Sequence, residues 1–162
     1  MASFAAWLQA SALGHFMRES GPWTYAIVNL AHVLGISTLF GAILVLDLRL
    51  IGVGRRRVPL SAVSSAVVPV ATAGFLLAAT TGLGLLATKA AEYVGNPFLL
   101  IKFPAIALGL INVAAVRRTA AWRGQFTRDL TPDEQRYLRI AGGMSLICWL
   151  TAITAGRMIA YW

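Results

Sequence analysis

Residues 23–51 read WTYAIVNLAHVLGISTLFGAILVLDLRLI, and from Trp23 to Leu46 they contain no Asp, Glu, Lys or Arg. A helix crossing a bilayer needs about 20 consecutive apolar residues. The stretch is therefore long enough to span a membrane, and it decides the fold class. It also carries Asn29 and His32 where hydrocarbon is expected. A polar or ionisable side chain at that depth normally faces the bundle interior or a cavity. His32 is accordingly the first functional candidate in the chain.

Composition points the same way. Of 162 residues, 58% are hydrophobic and 12% charged, and mean hydropathy is +0.72. A soluble domain carries about a quarter charged residues, so this is an integral membrane protein. The formal net charge of +8 suggests nucleic acid at first sight. The basic residues lie between apolar stretches, however, and membrane topology accounts for them more simply. No nucleic-acid partner is expected; the lipid bilayer is. A single cysteine, Cys148, lies within an apolar stretch and excludes an intramolecular disulfide or a CxxC site.

Three further spans follow residues 23–51, at about 67–86, 98–116 and 140–161. Gly74, Gly82 and Gly84 in the second suit close helix packing in lipid. Thr131-Pro132-Asp133-Glu134 reads as a helix start, with Thr131 as N-cap and acids in the first turn. At the N-terminus, residues 3–19 place Trp7, Leu8, Leu13, Phe16 and Met17 mostly on one helical face. That pattern predicts an interfacial helix, ended by Ser20-Gly21-Pro22. The expected fold is all-α: one membrane domain over 1–162, a four-helix transmembrane bundle with an N-terminal interfacial or hairpin helix.

Charge sets the expected orientation. Arg55-Arg56-Arg57 follow the first span, joined by Arg49 at its end, whereas Lys89 alone lies between the second and third. The loop before the fourth span carries Arg117, Arg118, Arg123, Arg128, Arg136 and Arg139. Both arginine-rich loops should face the cytoplasm, with the two termini outside. At about 1.5 Å of rise per residue, Asn29 and His32 then lie about 9 to 14 Å below the outer surface. Lys102 and Arg157 share that leaflet. His15 lies seven residues before Pro22 and His32 ten after it, so a hairpin arm would bring their levels within about 5 Å.

Imidazoles on two elements suit six-coordinate iron in a porphyrin. The leading expectation is thus a b-type haem, cytochrome b-like, held between His32 and His15 in the outer leaflet. Arg18, Lys102 and Arg157 are candidates for the propionates, and Tyr25 and Asn29 for hydrogen bonds. The function would be electron transport to or from quinone or a redox partner protein. The plain alternative is that His32 only hydrogen-bonds a neighbouring helix, His15 is a surface residue, and Lys102 and Arg157 snorkel to the head groups. Copper is the second cofactor reading, since soft sulfur ligands favour Cu(I). Met144, Cys148 and Thr151 share a face of the fourth span, yet a Met and Cys stripe more often packs. A third reading is a non-catalytic anchor or scaffold subunit. Gly35, Gly41, Gly142 and Gly143 offer close-contact surfaces for packing within the chain or in a homo-oligomer. Asp47 and Arg49 read as anchors to another helix or loop. No GxSxG, HExxH or phosphate-binding glycine loop points to hydrolysis.

The run Asn29-x-x-His32-x-x-Gly35 with Gly41 and Asp47–Gly52, then Asn96-Pro97-Phe98 with Lys102, and finally Gly156–Tyr161, resembles small, functionally unassigned bacterial membrane proteins. More distantly, a histidine-bearing span in a small bundle is similar to the copper-resistance D membrane family and to the four-helix, haem-dependent protoporphyrinogen oxidase family. The resemblance implies a multi-pass protein of the bacterial inner membrane, with copper handling or haem-linked redox chemistry. Only His32 lies at a corresponding position.

Overall fold

The computed structural model describes residues 2–162, without the side chain of Ala2. The described residues are mostly helical, with no strand among them. Its helices are α1 (Ala2–Gln9), α2 (Ala12–Glu19), α3 (Pro22–Ile51), α4 (Leu60–Thr88), α5 (Pro97–Arg118), α6 (Ala120–Gly124) and α7 (Pro132–Met158), followed by a 3-10 turn, Ile159–Tyr161. Helices α3, α4 and α5, and α7 with its terminal turn, are each long and apolar enough to cross a membrane. The protein is a multi-pass, all-α membrane protein.

The spans run longer than hydropathy suggests. Helix α4 begins at Leu60 and α7 at Pro132, because polar residues at the ends of a span extend the backbone ladder without needing lipid. Pro69 and Pro104 sit inside α4 and α5, where neighbouring groups in a bundle can satisfy the freed carbonyls. The start of α7 is a full capping box. Thr131 Oγ1 accepts from the Glu134 amide, and the Glu134 carboxylate accepts from the Thr131 amide.

The N-terminal segment differs from the single helix expected over 3–19. It breaks at Ala10-Ser11 into two eight-residue helices. Ser11 is the reason: its hydroxyl accepts from the Gly14 amide and caps α2, a bond that competes with continuing the first helix.

Two compact units make up the chain, and α3 and α4 are continuous through both. The first holds residues 1–39 and 72–96. In it, glycines bring α3 and α4 to backbone contact. A Cβ at Gly35 would lie 2.7 Å from the Ala78 nitrogen, and one at Gly74 would lie 2.5 Å from the Leu39 nitrogen. Helix α2 folds onto the far end of α4 as an arm. Gly14 meets the Ala87 carbonyl, Met17 is buried against Gly84, and Gln9 accepts from the Ala91 amide at 2.9 Å.

The second unit holds residues 40–71 and 97–162. Here α5 packs along α7, with the ring of Trp149 over Gly109 and the Lys102 side chain over Gly156. Asn112 ties the two helices by donating to the Ala141 carbonyl at 3.0 Å. Gly142 accepts the close approach of Leu50 and the Asp47 backbone. At one end, Leu60, Val116, Ala121, Leu138 and Ala141 form a buried apolar cluster, and Ser64 donates to Gln125 beside it.

Candidate functional site

The candidate site grows out of a strip of small residues. Gly74, Ala78 and Gly82 recur every four residues and so stand on one face of α4. With no side chain beyond a methyl, they let α3 come close enough for the His32 imidazole to reach the α4 backbone. Nδ1 of His32 lies 2.9 Å from the Ala78 carbonyl oxygen and 3.1 Å from Thr81 Oγ1. At Gly82 a Cβ would sit 2.9 Å from Cε1 and 3.3 Å from Nδ1 of the ring. The absent side chain is thus the space the imidazole occupies.

Protonation follows from the partners. A carbonyl oxygen only accepts, so Nδ1 of His32 carries the proton and donates it. Thr81 supports this assignment, since its hydroxyl hydrogen goes to the Leu77 carbonyl and its oxygen is left to accept. The neutral ring then has its lone pair on Nε2. That is the tautomer of a metal-ligating histidine, whose other nitrogen typically donates to a carbonyl or carboxylate. The helix carbonyl therefore orients the ring.

The remaining sequence candidates are distributed as follows. In the first unit, Tyr25 and Asn29 lie on exposed surface of α3, and Asn29 has no side-chain hydrogen bond among the described residues. Tyr25 stands near Tyr93 in the turn after α4. Burial, and next the neighbouring Tyr25, push the Tyr93 phenol above its ordinary pKa. His15 is on the outward side of α2, 56% exposed, with Nδ1 3.3 Å from Glu19; the side of α2 applied to α4 is that of Gly14 and Met17. Arg18 donates to the Gln9 carbonyl at 2.9 Å.

In the second unit, Lys102 is half-buried along Gly156. Arg157 is exposed, donates to the Tyr161 hydroxyl at 2.7 Å and stacks on that ring at 5.0 Å. For the soft donors, Met17 is buried, Met144 is 52% exposed and Cys148 is buried. Among the described residues, no group of three His, Cys, Asp or Glu side chains is close enough to hold a metal ion.

With this geometry in hand, the relationship of the chain to known families can be stated. A family pattern matches residues 4–162, nearly the whole chain. The chain belongs to a family of unknown function, DUF6644. No curated protein and no solved structure matches it. The family match takes in both histidines, both units and all four long helices, so the elements that position His32 are family territory.

One residue gains weight that sequence alone did not give it. Asp47, in the second unit, is 2% exposed. The Ser145 hydroxyl of α7 faces its carboxyl group, and among the described residues Oδ2 has no hydrogen-bond partner. The available signal was its place in an otherwise apolar run, but only the fold shows that α7 covers it.

Proposed function

We propose that this member of the DUF6644 family is a b-type haem-binding membrane protein with an electron-transfer role, and that His32 is the axial ligand. One observation carries the reading: Nδ1 of His32 donates to the Ala78 carbonyl at 2.9 Å, which leaves Nε2 as the ligating nitrogen, while Gly82 leaves room for the ring. A histidine held to the neighbouring helix through Nδ1 has its lone pair on Nε2, the nitrogen that an iron would need. Bound there, haem would supply one-electron chemistry, with its potential set by the axial ligand and by burial.

This chain's own part is to hold, orient and tune the ligand. Thr81 and the Ala78 carbonyl fix the plane of the imidazole. His15, exposed on α2, is the candidate second ligand, from the same chain or from a neighbouring copy in a homo-oligomer. Quinone or a redox protein is the proposed electron partner. The arginine-rich ends of the spans support a cytoplasmic placement of that end in a bacterial inner membrane. Copper would call for soft donors beside His32, and Met17 is instead taken up in packing against Gly84.

The test is a dithionite-reduced minus oxidised spectrum of protein purified in mild detergent from haem-replete cells. Sharp α and Soret bands are expected, lost in His32→Ala and shifted or lost in His15→Ala, with both variants retaining wild-type helicity. A featureless wild-type spectrum sinks the proposal.

A further inference from the structure

The end of the second unit that carries most of the arginines is not a smooth basic surface. It contains a cavity of about 620 Å³ walled by the α3–α4 turn on one side and by residues 125–139 on the other. Six arginines line it, Arg49, Arg55, Arg56, Arg57, Arg128 and Arg139, against one carboxylate, Asp129. Leu50, Leu60 and Leu138 are among its apolar lining residues.

The backbone is shaped to gather these charges. Gly52 and Gly54 adopt φ of 122° and 69°, a region that side-chain-bearing residues rarely enter. They turn the chain directly after α3 and set Arg55, Arg56 and Arg57 on the cavity wall. Arg49 is fixed from the opposite direction, its Nε donating to the Val58 carbonyl at 2.8 Å.

Charge is not balanced inside the cavity. Arg128 is engaged by Glu134 in a two-pronged pair at 2.6 and 2.8 Å. Among the described residues, none of Arg49, Arg55, Arg56, Arg57 and Arg139 has a carboxylate within ion-pairing distance. Guanidinium groups collected about one space repel one another, and an anion between them removes that cost. Orientation in a membrane requires only that arginines be at this end. Arg117, Arg118 and Arg123 meet that requirement at the neighbouring end of α5 and in α6, outside the cavity.

We propose that this cavity is a binding site for the phosphate headgroup of an anionic phospholipid. Guanidinium matches phosphate oxygens in paired hydrogen bonds. The location, where apolar spans give way to polar loops, is the level of lipid headgroups. The apolar side chains in its lining, Leu50, Leu60 and Leu138 among them, suit the glycerol and first methylenes of a lipid better than a fully hydrated free anion.

The experiment is native mass spectrometry of the detergent-purified chain titrated with phosphatidylglycerol or with phosphatidylcholine of the same acyl chains. Wild type is expected to retain phosphatidylglycerol over phosphatidylcholine by about tenfold or more. The triple variant Arg55→Gln, Arg56→Gln, Arg57→Gln should lose that preference. Arg139→Gln, on the opposite wall, should weaken it in the same direction with the turn left intact. The triple variant Arg117→Gln, Arg118→Gln, Arg123→Gln removes the same charge outside the cavity and should keep the preference. Equal loss in the two triple variants would overturn the proposal in favour of diffuse charge, as would equal retention of the two lipids. Displacement of the lipid by millimolar inorganic phosphate would overturn the lipid as occupant and assign the cavity to a free phosphate.

Discussion

Gly82 and His32 fit one another: a Cβ at position 82 would lie 2.9 Å from Cε1 of the imidazole. Alanine there must push the ring off the Ala78 carbonyl or force α3 from α4. Gly82→Ala is expected to cost about 1–3 kcal/mol, the usual range for overpacking, despite alanine's better helix propensity. It should also weaken the reduced Soret band per unit protein. Gly143→Ala is the control, since nothing lies within 4 Å of its new methyl, and it should be neutral or mildly stabilising. Thermal unfolding in mild detergent, followed by circular dichroism and by absorbance, reads the two effects together. A Gly82→Ala protein with wild-type stability and spectrum would remove the glycine from the argument.

The contact at Gly74 is harder, because the obstacle is backbone. Its added Cβ would meet the Leu39 nitrogen at 2.5 Å, and a helix backbone cannot rotate aside as a side chain can. Gly74→Ala is expected to cost about 3 kcal/mol or more, greater than Gly82→Ala. Gly41→Ala, with open space around it, should leave stability unchanged. The midpoint of thermal unfolding for the three variants gives the ranking, and a Gly74→Ala midpoint equal to that of Gly41→Ala would contradict the close packing.

These contacts mark how far the sequence could be read. The four spans were legible because hydropathy is a local property, and so was the cap of α7, since Thr131, Pro132 and Glu134 lie within one turn. His32 stood out because an imidazole in an apolar run is costly without a partner. Its partner was not legible: Ala78 lies 46 residues away, and nothing local says that the Gly74–Ala78–Gly82 strip faces α3. Ser11 divides the N-terminal helix through a hydrogen bond that a hydrophobic pattern does not register. The arginines of the α3–α4 turn read as topology markers, and the cavity they share with Arg139 exists only once these two distant stretches of sequence are folded together.

Tyr93 gives a pH dependence with a definite sign. Burial raises its phenol above the ordinary value of 10.0, so the folded state holds the proton more tightly than the unfolded chain does. Its contribution to stability is complete below pH 10 and declines as pH rises from there through the folded pKa. The unfolding midpoint of wild type should therefore fall between about pH 9.5 and 11, and Tyr93→Phe should fall less steeply over the same range. Parallel curves would show that the Tyr93 phenol titrates alike in the two states.

Asp47 permits a test of what its buried carboxyl requires. The Ser145 hydroxyl faces it, while among the described residues Oδ2 has no hydrogen-bond partner, so removing the hydroxyl takes a polar neighbour from a group that is costly to bury. Ser145→Ala is expected to cost about 1–3 kcal/mol, the price of leaving such a group unsatisfied. In an Asp47→Asn background the same change should cost about 1 kcal/mol, because a neutral amide suffers less from losing one hydrogen bond. Asp47→Asn alone should hold or raise the unfolding midpoint, since it removes the demand of the acid at similar volume. The four proteins form a double-mutant cycle, and the coupling between the two sites is the quantity of interest. Equal cost of Ser145→Ala in the two backgrounds would mean that the hydroxyl acts by packing alone. A large loss of stability in Asp47→Asn would instead show that the acid itself is needed to hold α3 against α7.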